Sequence, residues 1–96
     1  MPHYIALVSF TDQGIRDIKN SVKRLDTVEK IAAKHKVKVV QIHWTMGKYD
    51  LVVTFDAPDD AVMSAFTLEN AHLGNVRTET FRAYTREEFG NIIKAI

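Results

Sequence analysis

The first third of the chain shows two hydrophobic patterns in succession. From His3 to Phe10, apolar and aromatic residues fill both alternating sets of positions, which predicts a β-strand covered on both faces. Thr11–Gly14 ends this strand with turn-forming residues. Across residues 15–32, apolar positions recur at spacings of three and four, which predicts an amphipathic helix. Ser21 can restart that helix, so a short turn followed by a longer helix also fits the pattern.

Two strand-like segments, residues 37–46 and 49–56, follow this helix. The Gly47-Lys48 dipeptide between them suits a two-residue type II′ hairpin turn, which takes glycine at its first central position. The resulting register sorts the two strands into an apolar core face and a mixed face. The predicted core-face pairs are Met46–Tyr49, Trp44–Leu51, Ile42–Val53 and Val40–Phe55, and the other face pairs Thr45–Asp50, His43–Val52 and Gln41–Thr54.

The second half of the chain predicts a helix, a strand and a final helix. Residues 58–60, a proline and two aspartates, suit the first turn of a helix that continues to His72. Val76–Tyr84 predicts a fourth strand with polar residues on both faces. Thr85 and Glu88 then have the spacing of a capping box, which predicts a C-terminal helix with an apolar stripe.

This order of elements is the split βαβ arrangement, so the predicted fold class is α+β. We expect one ferredoxin-like βαββαβ domain over residues 1–96, with a C-terminal helix and a four-stranded antiparallel sheet. Right-handed crossovers place the first and third strands at the centre of this sheet. The two long helices then cover one face and leave the other face open. Because the open face holds apolar residues, it favours pairing with a second copy, as a homodimer or a higher oligomer.

Composition narrows the classes of partner. The net charge is +1 and no long run of like charges occurs, so neither nucleic acid nor a membrane surface is expected as a partner. The absence of cysteine excludes disulfides, thiolate metal sites and cysteine nucleophiles. The N-terminus does not resemble a signal peptide, and no apolar stretch approaches the roughly 20 residues that span a bilayer. We therefore expect a cytoplasmic protein.

The candidate ligand-binding residues are His43, Tyr49, Asp50 and Arg82. On the predicted register Asp50 lies beside His43 on the open face, where a carboxylate and an imidazole can form an acid–base pair. Tyr49 can add a hydroxyl, and Arg82 can receive an anionic ligand. Each residue also has a structural alternative. Asp50 can bond local backbone, Tyr49 can cover the edge of the core, His43 can be solvated, and Arg82 can protect a sheet edge from aggregation.

Other kinds of site find no support in the sequence. The four histidines, His3, His35, His43 and His72, lie on different elements without metal-ligand spacing, so no metal site is predicted. A Gly-rich phosphate loop and a serine nucleophile elbow are both absent, and no cofactor is expected. Trp44 lies among apolar residues of the second and third strands and is predicted to belong to the core.

Ferredoxin-like sheets also bind RNA, so RNA binding is an alternative function. Residues 48–55 are faintly similar to the third-strand signature of RNA-binding domains. However, Asp50 stands where that signature needs a small residue, and the open face offers no aromatic platform. We therefore reject RNA as a partner.

Four stretches of the sequence resemble the GYD-domain family. They are Thr11–Ile15, Trp44–Asp50, Ala57–Asp60 and Leu73–Thr80, and they follow one another in the order that the family has. The Gly-x-Tyr-Asp motif that gives the family its name is matched by Gly47, Tyr49 and Asp50. The resemblance implies a ferredoxin-like fold, similar to proteins that pair into dimeric α/β barrels. It implies little about function, because the family is largely uncharacterised. No catalytic residue beyond the motif can be assigned from the resemblance.

Three functional hypotheses follow. The first is a homo-oligomeric protein that binds a small organic ligand between sheet faces, near His43, Asp50 and Arg82. The second is a small cofactor-free enzyme, similar to the monooxygenases and isomerases built on dimeric α/β barrels, with Asp50 or His43 as the base. The third is a structural or accessory oligomer that binds no ligand.

Overall fold

The strands and helices occur in the predicted order in the computed structural model, which describes all of residues 1–96. The predicted restart at Ser21 is confirmed, because a short first helix and a 3₁₀ turn at Ile18–Asn20 precede the longer second helix. The elements are β1 (His3–Phe10), α1 (Asp12–Arg16), α2 (Ser21–Lys34), β2 (Lys38–Trp44), β3 (Leu51–Asp56), α3 (Asp60–His72), β4 (Val76–Ala83) and α4 (Arg86–Ile93).

The four strands form one antiparallel sheet in the order β2-β3-β1-β4. The first and third strands are central, as the right-handed crossovers require. In this register Tyr4 of β1 lies between Phe55 of β3 and Arg82 of β4. The predicted α+β, ferredoxin-like class is confirmed.

The core lies between the sheet and the two long helices. Alternate residues of β1, namely Tyr4, Ala6 and Val8, are buried on this face. They pack with the buried set of β3 and with Met63 and Phe66 of α3. Each fully buried large apolar side chain contributes about 1.5–3 kcal/mol to stability. The remaining members of the core are Leu51, Val53, Phe55, Ala57, Ala32 and Val37.

The β2–β3 register agrees with the predicted pairs near the hairpin and departs from them further away. Trp44 lies opposite Leu51 and Ile42 opposite Val53, as predicted. The predicted Val40–Phe55 pair is wrong, since Val39 lies opposite Phe55. The reason is a bulge between Val39 and Gln41, which places an extra residue on β2 and shifts every pair beyond it.

The connection between β2 and β3 is longer than a two-residue turn. The Thr45 N–H donates to the Asp50 carbonyl at 2.7 Å, which continues the ladder for one pair beyond the strands. Met46 and Tyr49 form no backbone hydrogen bond with each other; instead the Thr45 hydroxyl donates to the Tyr49 carbonyl at 2.7 Å. Gly47 has a backbone φ of +113°, which residues with a Cβ atom rarely adopt.

The C-terminal helix α4 extends away from the rest of the molecule. Thr85 and Glu88 form the predicted capping box at its start. Beyond that point its apolar side chains are exposed, with Phe89 at 53% and Ile93 at 52%. The radius of gyration is 14.3 Å, against about 12.5 Å for a compact domain of this length. No helix in the structure has both the length and the apolar character needed to cross a bilayer.

Candidate functional site

The structure does not bring the predicted ligand-binding residues together. Arg82 pairs with Tyr4, whose ring is buried beneath the helices, so Arg82 lies on the helix-covered face of the sheet. His43 pairs with Val52 and lies on the open face. Because the sheet separates the two side chains, one ligand in one protomer cannot contact both. The predicted cluster of His43, Asp50 and Arg82 is therefore not formed, and a ligand role for each residue stays a prediction.

Asp50 is occupied by backbone hydrogen bonds. Its Oδ2 accepts from the Phe10 N–H at 2.8 Å, and its own N–H donates to the Val8 carbonyl at 2.8 Å. These bonds join the β2–β3 connection to the end of β1, which matches the structural alternative for Asp50. His43 is exposed and makes no hydrogen bond or ion pair, so the two residues do not form an acid–base pair in this structure.

Tyr49 lies on the open face rather than at the edge of the core. Its hydroxyl donates to Glu79 Oε2 at 3.3 Å, and Glu79 pairs with Leu7 on the face that the helices do not cover. The prediction was wrong because it extended the strand alternation through residues 45–50, which leave the regular strand conformation.

Trp44 is on the predicted face but only half buried. It is 43% exposed, and its Nε1 donates to the Ser21 hydroxyl at 3.1 Å. The side chain therefore lies between the edge strand β2 and the start of α2. Trp44 was predicted to belong to the core, and it lies on the core face but outside the buried cluster, because β2 is an edge strand with little structure beyond it.

A cavity of about 140 Å³ lies between the sheet and helices α2 and α3. Sequence reasoning did not find this cavity, because it is a gap in packing and no residue type marks it. Most of its wall is apolar, with 15 hydrophobic residues among the 23 that line it. The sheet contributes Ala6, Val8, Val53 and Phe55, α2 contributes Leu25 and Val28, and α3 contributes Met63 and Phe66.

The polar part of the cavity wall consists of hydroxyl and amide groups and one arginine. Thr78 and Thr80 line it from β4, and Asn70 and Asn75 line it from α3 and the loop after it. The Thr80 Oγ1 atom is buried and has no hydrogen-bond partner. No histidine, aspartate, glutamate, lysine or tyrosine faces the cavity. The wall can thus bind and orient a molecule, but it offers no general base.

Arg24 closes one side of the cavity. Its guanidinium donates to the Asp17 carbonyl at 2.7 Å, to Asp17 Oδ2 at 3.2 Å and to the Gly14 carbonyl at 3.3 Å. It also lies 5.7 Å from the centre of the Phe10 ring. These bonds tie α1 to α2, so the role of Arg24 is to hold the two helices together.

An outer groove of about 460 Å³ adjoins the cavity between α3 and β4. In it the Tyr4 hydroxyl donates to Asp60 Oδ1 at 2.5 Å. Burial, reinforced by this bond and by the Asp60 charge, raises the pKa of Tyr4 to about 12. Arg82 also lines the groove, with its guanidinium 4.7 Å from the Tyr84 ring centre and 5.6 Å from that of Tyr4.

A few other charged groups form small surface pairs. Hydrogen bonds from His35 at 2.9 Å and Lys34 at 3.0 Å lower the pKa of the Glu69 carboxyl below its usual value. A hydrogen bond from the Thr85 backbone N–H likewise lowers the pKa of the Glu88 carboxyl. His3 Nδ1 lies 2.5 Å from Asp56 Oδ1. No three His, Asp or Glu side chains come together in the way a metal site requires.

Two of the stretches that carry the family resemblance meet at one junction. The Thr11 N–H donates to the Asn75 carbonyl at 3.0 Å, and the Thr11 hydroxyl donates to the Gly74 carbonyl at 2.6 Å. Gly14 packs so closely that a Cβ there would lie 2.1 Å from the Asn75 carbonyl oxygen. These residues therefore hold α1 against the loop before β4, at the end of the cavity that Asn75 lines.

The fold is similar to two crystal structures. MtbAldR (Rv2779c) has a TM-score of 0.66 and 14% identity, over 88% of this chain and 52% of that chain. TTHA0845 from Thermus thermophilus has a TM-score of 0.54 and 24% identity, over 90% of this chain and 100% of that chain. At these identities the likeness shows the fold alone. The chain spans about half the length of MtbAldR.

No curated protein matches the sequence. The family model described as GYD domain matches residues 4–93, which is nearly the whole chain. The matched range contains the motif residues Gly47, Tyr49 and Asp50 as well as the junction between Thr11 and Asn75. The chain belongs to the GYD domain family.

Proposed function

We propose that the protein binds a small, largely apolar organic molecule and works as a homodimer. The observation that carries the binding proposal is the cavity between the sheet and helices α2 and α3. A concave apolar space with a few polar groups is the usual form of a small-molecule site. This location replaces the space between sheet faces as the binding site, because His43, Asp50 and Arg82 do not converge there.

The size of the cavity limits the size of the ligand. A dry interior cavity of about 150 Å³ in another protein takes up benzene. The cavity here, at about 140 Å³, therefore suits one six-membered ring or a short branched chain. Trp44 and Leu73 both line the cavity and are both more than 40% exposed, at 43% and 42%. Their side chains therefore lie where a small molecule can enter.

Apolar surface on the open sheet face supports pairing with a second copy. Ile5 and Phe81 lie opposite each other in the sheet and are 37% and 49% exposed. Leu7 and Val52 lie beside them on the same face and are only partly buried. Large exposed apolar patches on a soluble chain commonly mark an interface. Two such sheet faces packed together about a two-fold axis would cover one another.

Helix α4 supports the same pairing. Its apolar residues Ile92 and Ile93 are 42% and 52% exposed, so the helix buries little of its stripe against its own chain. An amphipathic helix of eight residues is too short to be stable without packing. In the dimer we propose, the helix of one protomer packs against the edge of the partner sheet.

The enzyme hypothesis has less support than the binding hypothesis. Its two candidate bases were Asp50, which is bonded to the Phe10 backbone, and His43, which is exposed on the open face and does not line the cavity. A structural oligomer without a ligand remains the competing account, and it differs in predicting that the cavity binds nothing.

The single tryptophan gives a direct test of binding. Because Trp44 lines the cavity, toluene should change its fluorescence in a saturable way and should raise the melting temperature. Val28→Phe places a ring in the cavity and should abolish both effects. Val22→Phe is the matched control, since Val22 lies on the same helix, is 69% exposed and does not line the cavity. A fluorescence change of equal size in the Val28→Phe variant would contradict the proposed site.

Native mass spectrometry tests the pairing and can show a co-purified ligand in the same spectrum. We expect a mass of twice the 10.9 kDa chain. Because the cavity lies within one protomer, a monomer would overturn the proposed dimer and leave the binding site to be judged by the toluene experiment.

A further inference from the structure

We infer that the ligand is a small aryl or alkyl carboxylate, with its hydrocarbon part in the cavity and its carboxylate at Arg82 in the outer groove. This inference rests on the proposed function and deepens it by naming the class of ligand. It comes from the way in which the two spaces adjoin and from the hydrogen-bonding groups at their boundary.

The cavity and the outer groove share one wall. Met63, Thr67 and Thr80 line both spaces, so a molecule of modest length can lie across this boundary. Met63 is unbranched and can change rotamer at little cost, which suits a boundary that a ligand has to cross. The Thr67 hydroxyl already donates to the Met63 carbonyl at 2.8 Å, so it has no proton left to donate to a carboxylate.

Thr80 offers an unused hydroxyl at the boundary. Its Oγ1 is buried without a hydrogen-bond partner. A buried hydroxyl without a partner costs stability, and the cost is removed when a ligand supplies an acceptor or a donor. An oxygen atom of a ligand placed between the two spaces can supply it.

Arg82 is a cation without a carboxylate partner. Its Nη1 donates only to backbone carbonyls, those of His3 at 3.2 Å and Ala83 at 2.5 Å, and no ion pair forms within 4 Å. The rest of the guanidinium fork is free to bind a carboxylate, for which arginine has a matching planar geometry. Thr80 and Arg82 are two apart on β4 and face the same side, so they lie about 7 Å apart along the strand. A carboxylate one or two carbon atoms from a ring spans that distance.

Asp60 is the one acidic group that lines the groove. Its Oδ1 accepts from the Tyr4 hydroxyl, and it forms no ion pair with Arg82. The guanidinium thus stays available, while Asp60 restricts the carboxylate to the β4 side of the groove.

Three probes that share a benzyl group test the inference by calorimetry: toluene, phenylacetamide and phenylacetate, of which the last two have nearly the same shape. We expect phenylacetate to bind about tenfold more tightly than phenylacetamide, the usual gain from a charge-assisted hydrogen bond. Arg82→Gln should remove this preference and leave toluene binding unchanged. Arg16→Gln removes a charge from an exposed position outside both spaces and should change neither.

A second measurement needs no variant and covers the case in which Arg82→Gln does not fold. Raising the salt concentration should weaken the binding of phenylacetate to the unaltered protein and leave toluene binding the same, because only the ion pair is screened. Equal affinities for phenylacetate and phenylacetamide, with toluene still bound, would overturn the inference and leave the proposed function standing. Failure of toluene to bind would overturn the proposed function itself.

Discussion

The three residues of the Gly-x-Tyr-Asp motif each have a different structural role. Gly47 takes a positive φ in the connection between β2 and β3. The Tyr49 hydroxyl bonds to Glu79 across the open face, and the Asp50 carboxylate bonds to the Phe10 N–H. The motif therefore joins the β2–β3 connection to β1 and β4. Its residues lie outside the cavity, so the motif supports the fold and does not line the proposed site.

Asp50 gives the first prediction at this scale. Asp50→Ala leaves the Phe10 N–H without its acceptor and should lower the free energy of unfolding by about 1–3 kcal/mol. Asp50→Asn keeps an oxygen that can accept the same bond and should cost less. Urea denaturation of the two variants measures the difference. Toluene binding should survive in both, and its loss in a folded Asp50→Asn protein would contradict a purely structural role.

Tyr4 gives a prediction about pH. Its pKa is raised to about 12 by burial and by its bond to Asp60, against about 10 in an unfolded chain. The folded state thus holds the phenol proton more tightly, and this contribution to stability is complete below pH 10 and is lost as the pH rises through 12. A tyrosinate absorbance titration should show one tyrosine with a midpoint near 12 that is missing in Tyr4→Phe. Titration of that tyrosine near its ordinary value would contradict the buried bond.

The faces of single residues could be predicted only where a strand alternates cleanly. His43 was assigned correctly to the open face because β2 and β3 keep a regular alternation near the hairpin. For Arg82 the assignment failed, since β4 carries polar residues on both faces and its face depends on the register with β1. The face predicted for Tyr49 was wrong because this residue lies outside the strands, where side chains do not alternate between faces. No pattern in the sequence indicates the cavity, because its size depends on how well neighbouring side chains fill the space.

At the scale of elements, the order of strands and helices followed from hydrophobic period and capping residues. A continuous apolar run marks β1, apolar spacings of three and four mark α2, and Thr85 with Glu88 marks the start of α4. The bulge between Val39 and Gln41 could not be predicted, because no glycine or proline marks it. It arises where the edge strand β2 adjusts to the twist of the sheet.

The junction between α1 and the loop before β4 gives a prediction at this scale. Gly14→Ala would place a methyl group 2.1 Å from the Asn75 carbonyl oxygen, so the backbone has to move. We expect a loss of about 2 kcal/mol in the free energy of unfolding. Gly90→Ala is the control, because nothing lies within 4 Å of its Cβ position in α4. That variant should gain about 0.5–1 kcal/mol from the better helix propensity of alanine. Equal stabilities of the two variants would contradict the close packing at the junction.

At the scale of the whole molecule, the main unexplained feature is apolar surface that a single chain leaves exposed. It lies on the open face of the sheet and on α4. The molecule measures 49 × 30 × 17 Å along its principal axes. Helices cover one face of the sheet, and α4 projects beyond it. A second copy packed on the open face would double the thickness and cover the apolar residues of both sheets.

Phe81 gives the prediction for this scale. It is 49% exposed on the open face, and Phe81→Glu would bury a charge in the proposed interface. We expect the dimer to dissociate at micromolar concentration in size-exclusion chromatography with light scattering. Leu68→Glu changes an equally apolar residue on the helical side, 71% exposed, and should leave the dimer intact. An unchanged mass for Phe81→Glu would show that the open face is not the interface.

The measurement that tests the central claim most directly is a toluene titration followed by methyl NMR. Methyl groups of Leu25, Val28 and Val53 line the cavity, while those of Leu7 and Val52 lie on the open face. We expect saturable chemical-shift changes in the first set and none in the second. Shifts confined to Leu7 and Val52, or no shifts in the cavity methyl groups up to the solubility of toluene, would contradict binding in the cavity.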